Sequence, residues 1–322
     1  MKKAYIYVFI STFLFSSMEI ALKLAGSEFN GTQINFLRFG IGGLVLLPLA
    51  IHRMQQRHIR IIGRDLRMFL LTGLVGVVIS MSLYQIAVEI DKASTVAVLF
   101  SSNPIFALLF SYVILHETLS RTNLLAVIIS MIGLVIIVNP IHLTNPLGIA
   151  LSLGSALTFG LYAIITRRYS MQRGYDGLAM TCFSFIAGAL ELLVIIGISH
   201  IHVVAQVMSG SVALRNFSNV PIIQGINADD IWMLLYIAVG ITAAGYVLYA
   251  LAMEAGDVST ASLIFFIKPA LAPILALIIL QEQILLNTII GVVVIVTGST
   301  VMFIGNRFAD KQNTRPYQTA KE

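Results

Sequence analysis

The sequence predicts an all-α membrane protein whose ten transmembrane helices form two inverted five-helix repeats. Three observations lead there: a surface too apolar for water, positive charge that collects in alternate loops, and an internal repeat offset by an odd number of spans. The 322 residues are 58% hydrophobic and only 11% charged, with a mean hydropathy of +0.91. A soluble domain carries about 25% charged residues, so most of this surface must face lipid.

A helix needs about 20 apolar residues to cross the hydrocarbon core. Ten segments meet that need: residues 4–25, 32–51, 68–88, 94–115, 122–138, 146–168, 178–199, 231–253, 259–280 and 287–305. Runs this long are helical, unlike the roughly 10-residue alternating strands of a barrel. The first segment follows Lys2 and Lys3 as a secretory signal would. It reads as a retained helix, because it holds Glu19 and Lys23, lacks a small-x-small cleavage site and is followed by further spans.

Lys and Arg in the loops set orientation. Arg53, Arg57, Arg60, Arg64 and Arg67 lie between spans two and three, Arg121 between four and five, and Arg167, Arg168 and Arg173 between six and seven. Lys2, Lys3, Arg307, Lys311, Arg315 and Lys321 lie near the termini. Ten spans put all of these on one side and leave Lys92 and Arg215 on the other; eight or nine would scramble the pattern. The chain is therefore expected in the cytoplasmic membrane with both termini cytoplasmic. The net charge of +5 then has a topogenic origin and needs no nucleic-acid partner. The longest loop, 200–230, is expected outside, as a short surface helix or disordered. Residues 306–322 are expected to form a polar cytoplasmic tail.

A shift of 165 residues aligns 83–138 with 248–303 without a gap, with 14 of 56 positions identical. Tyr84 meets Tyr249, Glu89 meets Glu254, Ser94-Thr95 meets Ser259-Thr260, Pro104 meets Pro269, Glu117 meets Glu282 and Gly133 meets Gly298. The chain thus divides into 1–143 and 144–305, each with five spans. An odd number of spans turns the second half upside down relative to the first. Inverted repeats are the architecture of alternating-access carriers, which bind substrate near the midplane.

In order and duplication these motifs resemble the drug/metabolite transporter superfamily, in its ten-helix EamA-type branch. The resemblance rests on Phe15-Ser16-Ser17 with Lys23, Leu37-Arg38-Phe39, and the paired Pro104…Glu117 and Pro269…Glu282 segments. Leu115-His116-Glu117 and Leu280-Gln281-Glu282 are similar to the family's usual Leu-Gly-Glu. Phe15 departs from the Trp of many members, and the 200–230 loop is longer. The resemblance implies a carrier of amino acids or other metabolites, driven by protons or another gradient, with no cofactor.

Ionisable residues within spans are costly and mark function or pairing. Lys268 is the sharpest candidate, directly before Pro269 in the middle of span nine. Proline there predicts a kink, and Asn103-Pro104 is its counterpart beside Ser102. Lys268 either binds a substrate carboxylate or phosphate, or pairs with Glu19 or Glu191. Glu19 has Lys23 at i+4, so a local pair is also open. Arg38 either snorkels, bridges to a helix end or binds substrate. Glu191 divides between a structural pair and a cavity role. Tyr84 and Tyr249 gain weight from their matched register, and Tyr162 and Tyr246 offer further hydroxyls. Gly42-Gly43, Gly73/Gly76 and Ala243-Ala244-Gly245 are expected to let helices approach closely.

The favoured reading is a secondary transporter, an exporter or exchanger of a zwitterion such as an amino acid, with Glu19 meeting the amine and Lys268 the carboxylate. A carrier of choline-like or drug-like cationic amines is the alternative within that class. A polytopic enzyme or regulatory membrane protein is the alternative outside it. No P-loop, HExxH or GxSxG occurs, the lone Cys182 cannot build a metal site, and no metal is expected. The partners implied are a small-molecule substrate, the lipid bilayer and a proton gradient, for a monomer or a homodimer.

Overall fold

A computed structural model describes residues 2–117, 120–141, 145–210, 215–255 and 258–313; the side chains of residues 2, 215, 258–262, 265, 266, 302, 303 and 306–313 are outside that description. Gly256-Asp257 and the Ser259-Thr260 side chains of the repeat therefore lie outside the described residues, as does the tail from 314 on. The described chain folds into ten long helical segments. These are α1 (Lys3–Ala25), α2 (Gly31–Gln56), α3 (Gly63–Ile90), α4 (Ala93–Leu115), α5 (Arg121–Val138), α6 (Pro146–Arg173), α7 (Gly177–Ser199) and α8 (Asp230–Ala255), then α9 (Val258–Ile279) and α10 (Leu286–Asn313). The first eight are long and apolar enough to span a membrane; α9 and α10 carry the shorter apolar stretches Ile267–Ile279 and Leu286–Val301 among the described residues. Large apolar side chains such as Phe9, Leu44, Val113, Val194 and Trp232 point outward, as lipid requires.

Local sequence fixes the helix starts. Asn30 accepts hydrogen bonds from Thr32 N and Gln33 N, while Gln33 Oε1 accepts from Asn30 N, a capping box. Ser120, Asn145 and Asp176 cap α5, α6 and α7 more simply, each side chain accepting one backbone N–H. Several helices outrun the apolar segments: α2 continues to Gln56, α6 to Arg173 and α10 to Asn313. Hydropathy locates the part of a helix in lipid, and the charged turns beyond it stay helical because their side chains are solvated. In the 200–230 loop, His202–Ser209 forms a short helix. Residues 216–224 strap over the end of α2: Thr32 Oγ1 donates to Asn216 O at 2.8 Å, and Gln33 Nε2 donates to Gln224 O at 3.1 Å.

Helix packing keeps its pattern when the two halves are exchanged. Helix α1 lies along α8 and α9; α6 lies along α3 and α4. The pairs α2–α7, α4–α9 and α5–α10 each join one half to the other. Without a hydrophobic drive between helices in lipid, close backbone approach supplies the packing. Gly133 and Gly298, matched by the repeat, sit in the α5–α10 crossing. A Cβ on Gly133 would lie 2.9 Å from Gly291 O, and one on Gly298 2.9 Å from Ala126 O. Gly42, Gly73 and Gly245 likewise press against Thr242, Gly188 and Phe15.

Three helices depart from α geometry. Wide π-turns occupy Leu74–Ser80 of α3, Ser111–Leu115 of α4 and Tyr236–Ala244 of α8. The first and third overlap in repeat register. A carbonyl just after each is taken by a side chain from another helix: Asn35 Nδ2 donates to Met81 O at 2.9 Å, and Ser11 Oγ donates to Gly245 O at 3.0 Å. Such turns are frequent at functional sites. The two prolines expected to kink the chain behave differently. Helix α9 is continuous through Pro269 and Pro273, whereas α4 breaks at Ser101-Ser102 and restarts as Asn103–Phe110 with Pro104 in its first turn.

Candidate substrate site

Helix α1 is interrupted at Ser17, and Glu19 follows in the first turn of its second piece. Lys268 approaches from α9. Their side chains form an ion pair, Lys268 Nζ to Glu19 Oε1 at 2.8 Å, with Glu19 0% and Lys268 5% exposed. The ammonium also stands 5.2 Å from the centroid of the Phe100 ring. The pair links the two halves at the level where α1 and α4 are both broken. The local Glu19–Lys23 pair does not form. Lys23 reaches the helix end, where it donates to Asp91 O and lies 4.0 Å from Glu282.

Arg38 does not snorkel; it is 1% exposed. Its Nε donates to Asn35 Oδ1 at 2.9 Å, and its guanidinium carbon stands 4.5 Å from the centroid of the Phe39 ring. Its electrostatic neighbours are Tyr84, Tyr246 and Glu19. Three polar atoms of this cluster make no hydrogen bond of normal geometry: Arg38 Nη2, Tyr84 Oη and Glu19 Oε2. Tyr84 and Glu19 act on each other, while Arg38 Nη2 lacks an acceptor; buried polar atoms are nearly always paired, so the cluster keeps spare hydrogen-bonding capacity.

Two series of aromatic rings adjoin the cluster, one through Tyr84 and one through Tyr246 and Phe39. Tyr84, Phe100, Phe159 and Tyr162 contact in series, with centroid separations of 4.7, 5.3 and 5.3 Å. Phe15, Tyr246, Phe185 and Phe39 form the second series, at 5.2, 5.2 and 4.8 Å. Tyr246 and Tyr249 remain partly accessible. Other candidates are engaged elsewhere. Ser102 Oγ donates to Leu99 O at 2.6 Å and Asn103 Nδ2 to Phe100 O at 2.8 Å, so both serve the break in α4. Glu191 stands apart, half-buried in α7, and makes no ion pair among the described residues. Asn35, Phe100 and Phe185 carry no spacing signal that would have picked them from the sequence, whereas Phe39 belongs to the Leu37-Arg38-Phe39 motif.

At the end bearing Lys23, Glu282 closes the bundle. Its carboxylate accepts from Ala93 N at 2.8 Å, Ser94 N at 3.1 Å and Ser94 Oγ at 2.7 Å, capping α4 from the end of α9. Lys92 Nζ donates to Gln283 O at 2.9 Å. At the opposite end, Arg53 joins Asp176 and Glu254, Arg173 and Tyr175 hold the buried Asp65, and Glu117 pairs with Arg167 at 2.8 Å. Helix α9 packs along Ala93–Phe100 of α4 but far less along Asn103–Phe110.

The EamA-like transporter family matches this chain twice, over residues 2–139 and 146–304. The chain belongs to that family. A relative described as an uncharacterized transporter of Clostridium kluyveri is 34% identical over 319 residues, covering 96% of each chain. The pseudopaline exporter CntI of Pseudomonas aeruginosa is 25% identical over 140 residues, covering 44% of this chain and 48% of its own. A solved crystal structure shares the fold with a TM-score of 0.62 at 16% identity, covering 94% of this chain and 96% of that one. As an EamA-type protein the chain is a multi-pass secondary transporter.

Proposed function

We propose that this EamA-type carrier moves a zwitterionic metabolite of the amino-acid type across the cytoplasmic membrane by alternating access, as an exporter or exchanger. The observation that carries this reading is the Glu19–Lys268 ion pair, buried at the junction of the two halves. A buried ion pair is a weak source of stability, and a charge in a span is retained at a cost of about 2.5 kcal/mol or more. Its two ends match an ammonium and a carboxylate. Substrate entering between them exchanges one neutral pairing for two, so neither Glu19 nor Lys268 need stand unpaired before or after binding.

Alternating access draws support from the exchange symmetry of the packing and from the two family matches. With five spans in each half, those halves are inverted. The Arg-rich ends of α2, α3 and α6 then face the cytoplasm, and the Glu282 cap closes the outside. Helices α4 and α9 diverge toward the cytoplasmic end, which corresponds to a carrier shut outside. A carrier of cationic amines fits less well, because two cations and one carboxylate line the cluster.

The test is uptake of labelled amino acids into proteoliposomes. Lys268→Met is expected to abolish flux while the purified protein stays folded and monodisperse. Undiminished flux would leave Lys268 a structural partner only and restore the amine reading.

A further inference from the structure

The ion pair balances itself, and Arg38 is left over. Among the described residues no carboxylate lies within ion-pair distance of its guanidinium; the six pairs formed do not include it. Asn35 and Phe39 stabilise it without neutralising it. Tyr84, Tyr246 and Glu19 act on it electrostatically; the first two are phenols, neutral at physiological pH, and Glu19 is already paired with Lys268. Glu191 of α7 makes no ion pair among the described residues and is not among the groups acting on Arg38. The cluster thus contains two cations and one anion, a net charge of +1 in a region shielded from water.

We propose that the substrate carries two acid groups and one amine, a net charge of −1, and that Arg38 is the residue that selects it. This rests on the reading of Glu19 and Lys268 as the substrate site. Glu19 takes the amine, Lys268 the carboxylate beside it, and Arg38 the second acid group through Nη2, the guanidinium nitrogen that makes no hydrogen bond. A neutral zwitterion would leave the buried +1 in place. A monoanion with the same backbone removes it, and supplies the acceptor that Nη2 lacks. Selection therefore comes from the charge the empty site cannot discharge alone.

The experiment is competition in proteoliposome counterflow, with glutamate set against glutamine and aspartate against asparagine. Each pair differs in one charge at nearly constant shape. Wild-type carrier is expected to prefer the acids by roughly 10-fold or more, the scale on which an unpaired buried charge discriminates. Arg38→Gln should erase or reverse that preference while still transporting the amides, and Arg38→Lys should keep it. Equal competition by acid and amide in the wild type overturns the role of Arg38, yet leaves the zwitterion site standing. Competition by none of the four removes the zwitterion site itself, and this inference with it. The wild-type ratio decides the matter even if the Arg38 variants do not fold.

Discussion

Glu19 and Lys268 are not equivalent partners, because Arg38 stands beside only one of them. Glu19→Gln strands two buried cations and should cost about 3–5 kcal/mol, the range for breaking a buried pair. Lys268→Met leaves Glu19 with Arg38 as a counter-charge, so its cost should be clearly smaller. Thermal unfolding in detergent checks the order; equal losses would mean that Arg38 does not sense Glu19. A second residue-level expectation comes from the ends of α4 and α9. His116 and Gln281, at matched repeat positions, both have left-handed backbones with φ of 55°. A left-handed turn costs a side-chain-bearing residue about 1–2 kcal/mol, and glycine escapes that cost. The turn aims the following Glu117 or Glu282 away from its own helix, which gives the Leu-x-Glu motif its physical sense. Gln281→Gly should therefore raise the unfolding midpoint, by an amount worth about 1 kcal/mol; an unchanged or lowered midpoint would show the turn to be unstrained.

At the scale of elements, the α5–α10 crossing depends on having no side chain at Gly298. A Cβ there would meet Ser130 Oγ at 2.5 Å and backbone oxygen at 2.9 Å. Gly298→Val should force the helices apart at a cost of about 1–3 kcal/mol, visible as a lower melting temperature with the Glu19–Lys268 site intact. Asp91, just past the end of α3, gives a pH-dependent expectation. Burial, and secondarily Glu282, raises its carboxyl above the ordinary 3.8, although the Lys92 amide and the nearby lysines oppose that. A raised acid binds protons more tightly when folded, so the penalty is absent below about pH 3.8 and sets in as pH rises through the elevated value. Asp91→Asn should lie level with wild type at acid pH and melt higher at neutral pH; parallel curves would refute it. Which elements exist was legible from apolar runs, caps and the repeat. The 165-residue register also marked Gly133 with Gly298 and Glu117 with Glu282. Illegible were the π-turns in α3 and α8 and the engagement of Asn103 by its own helix, since neither hydropathy nor spacing encodes which carbonyl a side chain satisfies. The partner of Glu19 had remained open for the same reason: spacing offers Lys23 one turn away, and only the fold brings Lys268 nearer.

For the whole molecule, the asymmetry between the two matched glutamates defines the conformation. Glu282 crosses from one half to cap the first turn of α4 in the other, with Lys23 beside it. Glu117, its repeat counterpart, instead pairs with Arg167 of α6 at a more exposed position. A carboxylate on a helix N-terminus satisfies orphaned amides and meets the positive end of the helix dipole, so one such cap holds its end of the bundle shut at modest energy. A closure that must open in each transport cycle cannot be much stronger, since moving an equilibrium from 1:99 to 99:1 already takes about 5.5 kcal/mol. Glu282→Gln keeps the shape but removes the charge, and should weaken closure at this end, the outer one in the proposed orientation, without touching the ion pair. The check uses Ser94→Cys in a Cys182→Ser background, Cys182 being fully buried. A membrane-impermeant maleimide added outside intact cells should label Cys at position 94 slowly when Glu282 is present and several-fold faster in the Glu282→Gln variant. Equal labelling rates would mean that the cap is ornamental and that closure resides in helix packing alone; labelling only from the cytoplasmic side would reverse the assigned orientation of the chain.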